Sequence, residues 1–267
     1  MKINQGGRKM IDIHSHILPG VDDGAKTEED SLAMARAAVK QGIDRLIATP
    51  HHMNGIFQNK KATILQHVDI LNRLIAAHDI PLTVLYGQEV RIYGELLADI
   101  DAGKIQTLHN TRYLLVELPF ENVPLYTEKL IYDLQMKGII PIIAHPERNA
   151  ELRAKPGKMY DLVLKGALTQ VTAGSLLGHF GKEAEAFSHD LIEHNLTHFV
   201  ASDAHDIDKR PFTLKEAYDL IEKDYGKETY HLLEENTHLL LDDLIVNRNE
   251  PTRIRRKKQG LFNFWKK

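Results

Sequence analysis

The sequence predicts an α/β protein, a parallel sheet closed into a distorted (β/α)7 TIM-like barrel. Three observations point there. Seven short apolar, β-branched runs alternate with amphipathic segments of helical spacing, the signature of parallel strands covered by helices. No Gly-x-Gly-x-x-Gly follows any of these runs, which argues against an open dinucleotide-binding sheet. Nearly every run ends in His, Asp or Glu. Barrel enzymes place their chemistry at strand C-termini, whereas an open sheet gathers it near one switch point.

The expected strands are 11–14, 45–48, 82–86, 113–116, 139–144, 168–171 and 198–201. Helical spacing predicts helices over 28–41, 61–78, 125–137, 159–165, 183–195 and 213–224. Gly42, Gly138 and Gly166 sit just past three of them, where a helix end favours a left-handed residue. Thr27 with Asp30 three residues on is a capping-box pattern with Asp in place of Glu. Residues 10–248 form the expected barrel domain. Residues 1–9 precede a natural-looking start at Met10-Ile11-Asp12 and read as an extension of the kind added for expression. Residues 249–267 read as a basic tail, carrying Arg-Ile-Arg-Arg-Lys-Lys and then Leu-Phe-Asn-Phe-Trp. A solvated tail and a contact for an acidic partner or anionic membrane surface both remain open for it.

Composition narrows the function classes. The 267 residues suffice for one full core. A net charge of -3 argues against a dedicated nucleic-acid binder. No apolar run approaches the ~18 residues of a membrane span, and residues 1–8 are too polar for a secretory leader. A cytoplasmic protein without stable membrane insertion is therefore expected. There is no cysteine, so disulfides, thiolate metal sites and cysteine nucleophiles are all excluded.

The chemistry lies in the histidines and carboxylates. In Ile13-His14-Ser15-His16, residues i and i+2 share a face of a strand, so both imidazoles can reach one metal. Ser202-Asp203-Ala204-His205 repeats the device at the last strand with Asp203 and His205. Mixed His and carboxylate ligation suits Mn, Fe or Zn. Single candidates lie between them: Asp22-Asp23 follows Gly20-Val21 in a turn closed by Gly24, and His51-His52, Glu89, Glu117 and His145 end other strands. A carboxylate directly after an apolar strand is poorly placed for burial unless it is paired or metal-bound. In the two adjacent pairs only one residue should face the site, and spacing does not say which. The other histidines are expected to be solvated or locally satisfied.

These motifs resemble those of the polymerase-and-histidinol-phosphatase (PHP) superfamily. Within it they resemble the bacterial tyrosine-protein phosphatases of capsule and exopolysaccharide operons, the CpsB/YwqE type. Asp12-Ile13-His14-Ser15-His16, Val21-Asp22-Asp23-Gly24, Ala144-His145-Pro146-Glu147-Arg148 and Ala201-Ser202-Asp203-Ala204-His205 carry the resemblance, which spans about 10–245. It implies the PHP fold and three divalent transition metals per chain, Mn first, with Fe or Zn as alternatives. By resemblance, His14, His16, Glu89 and Asp203 surround the first metal, and Glu89 bridges to the second. Glu117 and His145 complete the second, while Asp23, His51 and His205 hold the third. That choice selects Asp23 over Asp22 and His51 over His52. Arg148 and Arg210 match the two arginines that such enzymes use on the phosphate.

The expected activity is a metal-dependent, non-cysteine protein-tyrosine phosphatase in which a metal-activated hydroxide attacks phosphorus. The expected partner is a phosphotyrosine protein, a bacterial tyrosine kinase with a Tyr-rich tail, and no nucleic acid. Phe57 and Phe120 are candidates to flank an aryl ring, and Asp206 and Glu147 are candidate general acids. A small-molecule phosphatase of the histidinol-phosphate type, a metal-dependent nuclease on the same barrel, and a non-catalytic phosphotyrosine reader are the alternatives.

Overall fold

Strand β1 (Met10–Ser15) pairs in parallel with β2 (Ile43–Ala48), and β2 pairs with β4 (Thr83–Tyr86). A six-stranded parallel sheet continues the wall in the order β3 (His51–His52), β5 (Glu89–Arg91), β6 (Tyr113–Glu117), β7 (Ile140–Ala144), β8 (Leu168–Thr172) and β9 (Phe199–Ala201). The structure is a computed structural model that describes residues 9–255. A parallel bridge between Ser15 and Ala204 closes the ring. It is reinforced by His16 N–H donating to Ala204 O at 2.8 Å and Asp203 N–H donating to His14 O at 2.9 Å.

The seven expected strands are present with ends moved by one or two residues, and two of them are followed, after a break, by short strands that were not expected, β3 and β5. Thr49-Pro50 separates β2 from β3, and Gly87-Gln88 separates β4 from β5. Proline cannot donate to a ladder, so the run cannot continue through Pro50. At Gly87 a Cβ would lie 2.4 Å from an Ile47 methyl, so only glycine passes this crossing. Gln88 is buried, and its amide binds Asn59 O and the Gln106 N–H instead of a neighbouring strand.

Alternation along the strands builds two apolar layers. On β6, Tyr113 and Leu115 join the interior cluster with Ile13, Ile47, Ile142 and Phe199. Leu114 and Val116 pack outward under the helices. Continuing that alternation brings Glu117 inward at the mouth.

The helices are α1 (Glu28–Lys40), α2 (Lys61–Ala77), α3 (Leu96–Asp101), α4 (Thr127–Met136), α5 (Ala150–Ala154), α6 (Pro156–Leu164), α7 (Ala173–Leu176), α8 (Lys182–Glu193) and α9 (Leu214–Leu241). Thr27 and Asp30 form the reciprocal capping box of α1. Gly42, Gly138 and Gly166 all take positive φ. Helices α3, α5 and α7 were not expected. Nor was the second half of α9, which resumes after Gly226 breaks the helix at φ 86°. That half places Leu240 in the interior cluster, stoppering the end of the barrel opposite the strand C-termini.

The first residues of the expected tail lie on the body. Thr252 N–H donates to His194 O at 2.9 Å, and Arg253 pairs with Asp161 at 2.9 Å and stacks on Tyr160. Residues 1–8 and 256–267, and what was expected of them, lie outside the described residues. No helix among the described residues is long and apolar enough to cross a membrane.

His198 shows how a histidine outside the mouth is satisfied. It is buried, and its Nδ1 accepts from Thr169 N–H at 3.2 Å. Burial, with Arg248 nearby, pushes it down to about 3. The folded state therefore holds it neutral, while the unfolded chain protonates it near its ordinary value. Stability from this group is complete above about pH 6.5 and is lost as pH falls towards 3. Urea unfolding at about pH 6.5 and pH 5 is expected to show a loss of up to ~2 kcal/mol from this residue. His198→Asn should lose correspondingly less over the same interval, and an identical loss in both proteins would refute the assignment.

Candidate metal centre

Strand β1 delivers His14 and, just past its end, His16, whose Nε2 atoms face each other at 3.2 Å. The other ring nitrogen of each is held from behind. His14 Nδ1 lies 2.7 Å from Gln170 Oε1, and His16 Nδ1 lies 2.7 Å from Asp22 Oδ2. An amide oxygen only accepts, so His14 carries its proton on Nδ1 and turns the Nε2 lone pair into the mouth. Glu89 Oε2 stands 3.4 Å from His14 Nε2 and 3.5 Å from His16 Nε2. Asp203 Oδ1 is 3.3 Å from both.

Glu89 also faces the next group. Its Oε1 is 2.7 Å from His145 Nε2, and its Oε2 is 2.8 Å from His51 Nδ1. Glu117 lies 3.9 Å from each of those histidines and is held by Arg91 Nε at 2.9 Å. On the outer side, Asp23 Oδ1 is 3.4 Å from both His51 Nε2 and His205 Nε2. All nine candidates thus meet at one mouth. The grouping is more interlocked than expected, because His16 also joins Asp23, His51 and His205, and His51 also joins Glu89 and Glu117.

The adjacent pairs divide as alternation requires. Asp23 faces the cluster, while Asp22 turns behind it to bind His16, Gly24 N–H and His51 N–H. His51 faces in, and His52 packs edge-on against Tyr93. Two members adopt left-handed backbone, His145 at φ 33° and Asp203 at φ 52°. Such strain persists only where the surroundings fix it.

Charge follows from contact. Burial opposes ionisation of Glu89, yet His51 and His14 hold it well below the usual carboxylate range. Asp203 is buried too, and Arg148, His14 and Arg210 hold it low. Glu117 takes the opposite course, pushed up to about 7 by burial and by Glu89. Burial and Arg148 push His145 down to about 3, and burial and His16 push His205 down to about 4. These two neutral imidazoles keep a lone pair for a cation, whereas against burial Asp22 raises His16 to about 9 and Glu89 raises His51 to about 11, so a cation would have to displace their protons. His205 Nε2, Glu89 Oε2 and His51 Nδ1 are buried without an aligned hydrogen bond. Nitrogen and oxygen donors in this density, with unmatched atoms turned inward, fit divalent transition metals.

Arg148 and Arg210 reach the mouth from loops and converge on one atom. Their Nη2 groups donate to Asp203 Oδ2 at 2.5 Å and 2.8 Å. The Nε atom of each is buried without a partner. Phe57 stacks 6.3 Å from His51 and Phe120 5.8 Å from His145, so both rings border the cluster.

Neither candidate acid faces the cluster with a free oxygen, although burial raises Glu147 above its ordinary value. Glu147 is buried and accepts from Ser175 Oγ and Thr172 N–H. Asp206 accepts three backbone N–H groups and is held below its ordinary range, burial notwithstanding. Supporting residues that the sequence reading did not select are Asp22, Gln170, Arg91 and Phe180. The signal for Gln170 was an amide inside an otherwise strand-like run, Leu168-Thr169-Gln170-Val171.

Comparison with known proteins places this arrangement. The family model for capsular polysaccharide synthesis, CpsB/CapC, matches residues 10–242. The chain belongs to that family. It is 52% identical to the tyrosine-protein phosphatase YwqE of Bacillus subtilis, over 96% of this chain and 100% of that protein. It is 37% identical to the putative tyrosine-protein phosphatase CapC of Staphylococcus aureus, over 94% and 98%. A crystal structure of YwqE, described together with CpsB from Streptococcus pneumoniae as unique metal-dependent tyrosine phosphatases, matches with TM-score 0.90, covering 92% of this chain and 100% of that one. The phosphotriesterase homology protein of Escherichia coli, at TM-score 0.55 and 11% identity, shares the barrel fold alone.

In this CpsB/CapC family member Gln170 offers a direct test of the centre. Gln170→Leu is expected to weaken divalent-metal binding by about 10- to 100-fold while leaving the fold intact. Isothermal titration with Mn, alongside far-UV circular dichroism, measures both. Unchanged affinity would show that the His14 ring needs no support from behind.

Proposed function

We propose that this chain is a protein-tyrosine phosphatase that hydrolyses phosphotyrosine with divalent metals held by the nine mouth residues. The observation that supports this most is the convergence of that nitrogen-and-oxygen cluster with two arginines, in a family whose curated relatives are named tyrosine-protein phosphatases. His14, His16, Glu89 and Asp203 would hold a first ion. Glu89, Glu117 and His145 would hold a second, and Asp23, His51 and His205 a third. The donor set suits Mn, Fe or Zn. When bound, such ions neutralise the phosphate dianion and acidify water towards neutral pH.

The chain's own residues do the rest. Gln170 and Asp22 fix the two β1 imidazoles. Arg148 and Arg210 turn from Asp203 to the phosphate oxygens, where a planar guanidinium matches the geometry. Tyrosinate leaves with a conjugate acid near pKa ~10, so the reaction tolerates a mouth where neither Glu147 nor Asp206 is placed to give a proton. The substrate would be a bacterial tyrosine kinase with a tyrosine-rich tail, and the proteins it modifies, in capsule or exopolysaccharide regulation.

Arg148→Ala and Arg210→Ala are each expected to lower kcat on a phosphotyrosine peptide by about 10²–10³, with metal content near normal. Lost metal would make the residue a support for Asp203 instead, and near-wild-type turnover would place it outside the reaction. Purified protein is expected to carry more than one transition metal per chain, to lose activity on chelation and to ignore iodoacetamide. A fully active protein with one ion would sink the three-metal reading. Parallel assays with histidinol phosphate and single-stranded DNA separate the alternatives.

A further inference from the structure

Beside the mouth lies a cavity of about 560 Å³ lined by Phe120, Arg148, Arg153, Phe180, Lys182 and Ala184, among others. Arg148 forms its inner wall, so the cavity opens from the phosphate end of the site. Its guanidinium is flanked by two rings, Phe180 at 4.9 Å and Phe120 at 5.8 Å from Cζ. Arg210 also lies over Phe180, at 5.9 Å. Phe120 is 46% exposed, an apolar ring left open at the edge of a polar centre.

Phe180 is held in place. It lies between Gly178 and Gly181, both at positive φ, in the loop that enters α8. Its ring rests against Gly174, where a Cβ would stand 3.1 Å away. Beyond it the groove continues. A second hollow, of about 500 Å³, shares Arg153, Lys182 and Glu183 and runs along α8 past Ala186 and Phe187. Glu183 is engaged by Arg153 at 3.6 Å. Lys182 has no ion pair among the described residues and stands exposed on the rim.

We propose that Phe120 and Phe180 form an aryl clamp that selects phosphotyrosine over alkyl phosphates, and that the groove along α8 takes the adjoining peptide, with Lys182 favouring an acidic residue there. This rests on the phosphatase reading above and names its substrate class. An aromatic ring attached to a phosphate on Arg148 and Arg210 extends into the cavity whose wall both phenylalanines form beside Arg148. Aromatic faces pack there in offset or edge-on geometry, and an alkyl phosphate leaves them empty. The cationic rim draws a carboxylate by charge, in a groove where Glu183 is already occupied.

The test compares kcat/KM ratios in the metal-loaded enzyme. The substrates are glycerol 2-phosphate and two phosphotyrosine peptides, one with acidic and one with alanine neighbours. Phe180→Ala and Phe120→Ala are each expected to lower the ratio of phosphotyrosine peptide to glycerol 2-phosphate about tenfold, mainly through KM. Phe180→Leu should fall between. Gly174→Ala, which displaces the Phe180 ring without touching substrate, should move the ratio in the same direction. Lys182→Glu should lower the preference for the acidic peptide by several-fold. Ratios unchanged in the phenylalanine variants overturn the clamp, and indifference of Lys182→Glu to the neighbours overturns the groove. A wild type that turns over glycerol 2-phosphate and neither phosphopeptide overturns the protein-tyrosine-phosphatase reading as well, which separates the two failures.

Discussion

Glu89 has no solvent exposure and faces four imidazoles, those of His14, His16, His51 and His145. Removing a carboxylate from water costs several kcal/mol even after relaxation, and an apolar interior returns none of it. The group is tolerable only because donors and cations converge on it from several strands at once. Strand β1 brings two of the imidazoles, β3 a third, and the turn after β7 the fourth. Barrel closure and charge compensation are therefore coupled. A barrel with β1 displaced would take two of the four imidazoles from a carboxylate that stays buried.

The breaks in two strands serve the same constraint. After Pro50 and Gly87 the chain resumes pairing in a new sheet, with His51 in register against Glu89 and Arg91 against Glu117. Cross-strand neighbours sit close enough for side chains to meet, which explains the His51–Glu89 and Arg91–Glu117 contacts. Asn59 pins the raised segment by donating to His51 O and Val21 O. An unbroken β2 would carry the His51 side chain elsewhere.

How much of this was legible in the sequence depended on the length of each element. Seven apolar runs and six amphipathic segments were long enough to show a period. Strand β3 has two residues and β5 three, too few for any period, so each registered only as a polar residue after a strand. Helices of four to six residues, such as α7, α5 and α3, were missed for the same reason. The second half of α9 was lost because Gly226 ends one pattern and a new face begins after it. In the site, strand-end position exposed every candidate ligand except Asp23, which lies in the turn between β1 and α1. The choice between Asp22 and Asp23 came from resemblance, since alternation says only that the two diverge. Asp22 and Gln170 were invisible as supports because that role depends on which atom they touch, a property of the fold.

Asp203 joins the two halves of the mouth. One oxygen faces His14 and His16, while the other receives both Arg148 and Arg210. Two guanidiniums meet on one carboxylate oxygen at the entrance, and Arg210 also stands 3.9 Å from Asp23. On the proposed reading, a phosphate arriving there would need no new cation to be assembled. It would have only to take over two that Asp203 already holds nearby, a smaller reorganisation than mobile lysines would require.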